Sequence, residues 1–273
     1  MARDVMYEVK GPKTLKEMTA TELGEALKTA DIAVLAFGAV ENHASHLPLG
    51  ADNFQGEELI KRTAARLTEM GLPAVPAFCV PFGAQTNRFE RYSPVGDICL
   101  TQNTFIKLVE ELSLSLIATG FKRLVFCVSH AESHASLHVA AKNLGDLHNV
   151  PVIIADWIPP MRSEWPKFLK NPTHQGHGGE DETACVMAIV PELVNTSGVK
   201  PYHPPEDGLP PIPCDDLSYY GGAVGIYMPV REDLSPGFIG DPADATIENG
   251  NICLDKYAAW TADIVYKYWG RKR

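Results

Sequence analysis

Ile32-Ala33-Val34-Leu35-Ala36-Phe37 runs directly into Gly38-Ala39-Val40-Glu41-Asn42-His43-Ala44-Ser45-His46-Leu47-Pro48-Leu49-Gly50-Ala51-Asp52. The first six residues are apolar throughout, the composition of a strand buried on both faces. The dozen residues from Glu41 to Asp52 then hold one Glu, two His and one Asp. A buried strand whose carboxyl end opens into oxygen and imidazole donors is a common way for an α/β protein to place metal chemistry.

Outward from this stretch, three more short apolar runs read as buried strands: Ala74–Val80, Leu124–Val128 and Val152–Ala155. Each is rich in Val, Ile, Ala or Phe and bounded by Gly, Pro or charge. Helical spacing fills the intervals over residues 14–29, 54–70, 105–118 and 133–147, and further helices are expected over 181–189 and 252–268. Alternating strands and helices predict successive βα units, hence a mostly parallel sheet covered on both faces. Residues 200–244 break the rhythm with Pro204-Pro205, Pro210-Pro211 and Gly221-Gly222. A long Pro/Gly-rich loop inside a compact domain is usually functional or an interface element. With no internal repeat, low-complexity tract or linker, residues 1–273 are expected to form a single domain.

Composition narrows the function. Over 273 residues, 45% hydrophobic and 21% charged content describe a globular chain. A net charge of -10 argues against a nucleic-acid partner, which needs clustered Lys and Arg. The start of the chain has charges of both signs and no apolar core of a signal peptide, and no window approaches a membrane span. The six cysteines form no C-x-x-C pair, and Cys79 and Cys127 lie inside apolar runs. Free thiols and a cytoplasmic setting are the expectation.

The site assembles from two strand ends. Glu41 and His43 follow the first strand at i, i+2 spacing, which in extended chain points both side chains the same way. The third strand ends in Ser129-His130-Ala131-Glu132-Ser133-His134, another acid–imidazole pair. Any one of these histidines would more often be a core or surface residue; two pairs at the carboxyl ends of two strands converge on one place. With Asp52 as a bridging carboxylate, counting gives Glu41, Asp52 and His130 for one ion and His43, Asp52 and Glu132 for a second. Mixed N/O donors of this kind suit Zn²⁺ or Mn²⁺, with Fe²⁺ tolerated. A third stretch, His174-Gln175-Gly176-His177-Gly178-Gly179-Glu180-Asp181-Glu182-Thr183, is a Gly-rich turn into an acidic helix start. His177 is the expected proton shuttle, and Glu182 is either a ligand or the group that holds His177.

These residues carry a family resemblance. Glu41 to Asp52 resembles the G-S-x-E-Q-H-G-x-H-L-P-x-x-T-D signature of the creatininase (creatinine amidohydrolase) family. His177 to Thr183 resembles its H-A-G-x-x-E-T-S, and Gly237 to Thr246 is similar to its G-x-x-G-D-P-x-x-A-T. The matches occur in the family's order, from about Leu15 to the last helix. The resemblance implies a three-layer α/β/α fold with a central parallel sheet, two divalent metals on the same ligands, and a homo-oligomer, often a hexamer. It implies hydrolysis of a small polar cyclic substrate, a cyclic amide or related carbonyl, through a metal-bridging hydroxide. His177 falls where creatininase has a substrate-contacting His.

Departures from the pattern qualify the substrate. Ala131 replaces a Tyr between the His and Glu, Thr173-His174 replaces a Trp-Asp pair, Val128-Ser129 replaces Asn-Gly, and Ala44-Ser45 replaces Gly-Pro. Trp157 is either a pocket wall or a core residue. Relatives hydrolyse formamides or open a keto-inositol ring by C–C hydrolysis, and both stand as alternatives. For a polyol ring, Gln85, Asn87, Arg88, His134 and His174 are the candidate hydrogen-bonding groups.

Overall fold

The computed structural model describes residues 8–84, 95–171, 175–203 and 237–270. Four strands, β1 (Ile32–Phe37), β2 (Ala74–Val80), β3 (Arg123–Val128) and β4 (Val152–Ala155), form one sheet in the order β2-β1-β3-β4. Every pairing is parallel, with β1 and β3 in register from Ile32 opposite Arg123 to Phe37 opposite Val128. Between β1 and β2 the register slips by one residue after Val34 and Pro76. Pro76 has no N–H for a ladder, and an edge strand at a bulge is where a sheet accepts it.

Strand residues alternate between two cores, which makes the three layers. Ile32, Val34, Ala36, Val125 and Cys127 face one side. There they pack under α2 (Ala51–Glu69), α6 (Glu180–Ile189) and α7 (Ile247–Trp269), with the one-turn α5 (Ile158–Met161) filling the edge. Ala33, Leu35, Phe37, Leu124, Phe126 and Val128 face the other side, under α3 (Gln102–Thr119) and α4 (His134–His148). Trp157 is buried and stacks on Tyr257, with ring centroids 3.9 Å apart, so it belongs to the core rather than to a pocket wall.

The segment over residues 14–29 is not one helix. A three-residue 3-10 turn, Leu15–Glu17, precedes the short helix α1 (Ala20–Ala26). Two capping boxes explain the break: Thr14 with Glu17 and Thr19 with Glu22 each satisfy the backbone of a new start. Cys79, Cys127, Cys185 and Cys253 are free thiols. Among the described residues no helix is long and apolar enough to cross a membrane. Most of the Pro/Gly-rich stretch, residues 204–236, lies outside the described residues.

Candidate metal centre

The ends of β1 and β3 and the first turn of α2 meet above the carboxyl edge of the sheet. The segment after β1 is laced down by Glu41 N–H donating to Leu49 O at 2.9 Å and Asn42 N–H donating to Asp97 Oδ1 at 2.6 Å. Ala44 sits at φ 57°, and its N–H donates to Asn42 Oδ1 at 2.8 Å. That left-handed turn is easiest for glycine, the residue the family pattern has here. Asp52 is delivered by α2, which packs tightly on the strands. A Cβ on Gly56, one turn after Asp52, would stand 2.8 Å from Cys79 Sγ and 3.0 Å from Ala36 Cβ. Ser129 Oγ donates to Asp52 O at 2.7 Å, tying the helix start to the end of β3.

Three sets of donors lie within 4.8 Å of one another among the described residues: Glu41, Asp52 and His130; His43, Asp52 and Glu182; and Glu41, His43 and His177. His130 Nε2 is 3.6 Å from Glu41 Oε2, and His43 Nε2 is 3.4 Å from Glu182 Oε2 and 4.0 Å from Asp52 Oδ1. Two ligands at metal distances of about 2.0–2.1 Å in a tetrahedron stand about 3.3 Å apart, so the 3.4 Å spacing matches a shared ion and the 3.6 and 4.0 Å spacings lie a few tenths of an ångström beyond it. The outer contacts fix the tautomers. His43 Nδ1 donates to Glu41 O at 3.1 Å, which turns Nε2 toward the carboxylates as the atom free to bind a cation once deprotonated. His130 Nδ1 is bonded to Ser133 Oγ at 2.9 Å, so its Nε2 also faces inward. His177 Nε2 donates to Asn42 O at 2.7 Å, turning Nδ1 toward Glu41 Oε2 at 3.7 Å.

The opposite wall comes from the turn into α6. Gly178 N–H donates to Glu182 Oε2 at 2.7 Å, and Ile239 N–H donates to His177 O at 2.7 Å. Glu180, fully buried and in none of the three sets, accepts the Lys170 N–H on both carboxylate oxygens and the Asn171 N–H on one, at 3.0–3.1 Å.

This cavity is short of positive charge. Burial alone would pull the His43 imidazole down, yet Glu182, Asp52 and Glu41 together push it up to about 10. Burial, reinforced by the charge of Glu182, drives Asp52 well above the usual carboxylate range. Glu182 is held below that range by His43, against the opposing effect of its own burial. Among the described residues Asp52 Oδ2, buried, has no hydrogen-bond partner. Three carboxylates gathered around inward-facing imidazole nitrogens are a fit for cations.

The structure thus brings Glu41, His43, Asp52, His130, His177 and Glu182 together. Glu132 lies on the 3-10 turn Ala131–Ser133, partly buried, and is in none of the three sets; Glu182 stands beside His43 instead. His134 is ion-paired with Asp156, Nδ1 to Oδ2 at 2.7 Å, just past the end of β4. Gln85, Asn87, Arg88 and His174 lie outside the described residues. Sequence reasoning passed over Ser133, Asp156 and His46. Ser133, three residues after His130 on a turn, carried a readable signal; Asp156, joined to His134 only through the sheet, did not.

A family model described as creatininase, creatinine amidohydrolase, matches residues 16–265. The creatinine amidohydrolase of Pseudomonas putida is 25% identical over 263 residues, covering 91% of this chain and 94% of that one. A putative creatinine amidohydrolase from Bacteroides fragilis superimposes with a TM-score of 0.77 at 19% identity, covering 97% of this chain and 99% of that one. Creatininase structures described as a Zn-Zn type and as the Mn form each give a TM-score of 0.70 at 21% identity, over 95% of this chain and all of theirs.

Proposed function

The chain belongs to the creatininase family of metal-dependent hydrolases, and from that premise we propose that it hydrolyses a small polar cyclic molecule at an amide or related carbonyl, using two divalent cations of the Zn²⁺ or Mn²⁺ class. One observation carries the proposal: Asp52 is shared by two ligand sets, Glu41–Asp52–His130 and His43–Asp52–Glu182, so one carboxylate can bridge two ions. In this reading Glu182 rather than Glu132 completes the second set, supported by its grouping with His43 and Asp52. Such a pair of ions supplies Lewis-acid polarisation of the substrate carbonyl and acidifies water at neutral pH.

The chain's own residues do the rest. His43 and His130 present Nε2 because Glu41 O and Ser133 Oγ occupy their Nδ1 atoms. His177, with Nε2–H committed to Asn42 O, holds and releases a proton at Nδ1, the atom that faces Glu41. It thereby protonates the departing nitrogen. Burial of His43, Asp52 and Glu41 keeps bulk water off the donors and strengthens their electrostatics. C–C hydrolysis of a polyhydroxylated cyclic ketone is the second reading. It is favoured by the His134–Asp156 pair, an extra hydrogen-bonding group at the same carboxyl edge of the sheet.

Elemental analysis of wild type and Asp52→Ala tests the ligand reading, with about two ions per chain expected against about none. A panel of cyclic amides, formamides and cyclic polyol ketones then tests the reaction. Turnover of none of them by protein holding two ions would refute the substrate class, and fewer than two ions in wild type would refute the shared-carboxylate reading.

A further inference from the structure

His46 is the histidine of the opening stretch that joins none of the ligand sets. It is 1% exposed, and its Nε2 lies 2.9 Å from Gly178 O. A carbonyl only accepts, so Nε2 carries the proton. Burial lowers the His46 pKa and keeps the ring neutral. Thr183 Oγ1 donates to the same carbonyl at 3.1 Å. Gly178 holds φ 64°, and a Cβ there would stand 2.8 Å from Phe238 Cβ, so the turn has no room to drift. Phe238 in turn packs edge-on against the His46 ring at 5.1 Å.

What this turn carries is the second half of the site. His177 precedes Gly178, and the Gly178 N–H donates to Glu182 Oε2 at 2.7 Å. His46 itself sits three residues after His43 on the same loop, with its carbonyl anchored by Asn195 N–H at 3.0 Å. One imidazole therefore spans the two segments whose relative placement sets the 3.4 Å approach of His43 Nε2 to Glu182 Oε2. We propose that His46 is a positioning residue that fixes the 177–183 turn against the loop after β1, and so decides whether His43, Asp52 and Glu182 can hold a cation it never touches.

The proposal rests on the two-ion reading for its metal arm only. Three variants test it: His46→Leu, which fills the space without a donor; His46→Gln, whose side-chain amide can donate near the Nε2 position; and Thr183→Val, which removes the second donor and leaves the ring. Hydrogen exchange over 175–183 is read in metal-free protein, and Zn²⁺ stoichiometry and affinity after loading. His46→Leu should exchange at least about tenfold faster in that segment alone and lose one of two ions, its affinity falling about 10–100-fold. His46→Gln should restore both readouts, and Thr183→Val should give a weaker version of the Leu pattern. Exchange at the wild-type rate in His46→Leu overturns the proposal, as does faster exchange throughout the protein with both ions lost together. If wild type binds no zinc, the two-ion reading falls and the exchange arm alone decides. If His46→Leu does not fold, Thr183→Val against wild type carries the decision.

Discussion

Replacing Gly250 by Ala sets two effects against each other on the helix that backs the site. Gly250 is buried in α7 where it crosses α6, and a Cβ there would overlap the Ala184 carbonyl and stand 3.0 Å from Ala188 Cβ. Helix propensity favours Ala over Gly by about 1 kcal/mol. The clash is with a helical carbonyl that cannot rotate aside, so the helices must part by roughly 1 Å, a gap at which contacts lose a quarter to a half of their dispersion energy. Overpacking typically costs about 1–3 kcal/mol, and a clash with a fixed carbonyl puts it at the upper end, about 3 kcal/mol, leaving a net loss of about 2 kcal/mol. For a chain of this size that is a fall in Tm of roughly 4–8 °C. Because α6 carries Glu182, zinc affinity should weaken as well. Gly24 is the control: it is exposed in α1, and a Cβ added there would meet open space, so Gly24→Ala should raise stability by up to about 1 kcal/mol. Thermal and denaturant unfolding of the two variants decide the matter. A Gly250→Ala protein as stable as wild type would refute the claim that α6 and α7 meet backbone to backbone.

A Cβ on Gly83 would stand 2.9 Å from His130 Cε1 and 3.0 Å from Ser133 Oγ, so Gly83→Ala should displace the His130 ring and cost one ion per chain in elemental analysis while the fold persists. Metal uptake should release at least about one proton per chain: His43, pushed up to about 10, is charged at pH 7 in the metal-free protein, and Asp52 is driven well above the usual carboxylate range by burial, so both must be deprotonated to bind cations. Calorimetry in buffers of different ionisation enthalpy measures that number, and zero release would contradict the electrostatics described above. The same group makes metal-free protein lose stability as pH rises from 6.5, the ordinary imidazole value, through about 10, because the folded state holds a proton the unfolded chain has given up. Glu180→Gln should cost about 1–3 kcal/mol, since both carboxylate oxygens accept from the backbone N–H groups of Lys170 and Asn171 and the amide sets a non-accepting NH2 against one of those contacts; urea unfolding would show it.

The sheet was legible because buried strands are written as unbroken apolar runs. β1, β2 and β4 fall on the runs Ile32–Phe37, Ala74–Val80 and Val152–Ala155 themselves. Helix starts were less so. α2 begins at Ala51 and α7 at Ile247, ahead of the first periodic apolar residues, because their opening turns are held by backbone and caps such as Thr246 to Asn249 N–H at 3.1 Å. The chemistry of Glu41, His43, Asp52 and His130 could be counted from spacing, since each lies within a few residues of a strand end or helix start that spacing locates. The placing of Glu182 beside His43 could not. Whether Glu132 or Glu182 meets His43 depends on where the first turn of α6 arrives, and that is set by contacts between segments far apart in the chain: His46 to Gly178 O, Asn42 O to His177, Gly250 against Ala184. Local spacing can say which side chains are able to bind a cation; only the packing of α6 against α7 and the loop after β1 decides which of them are close enough to share one.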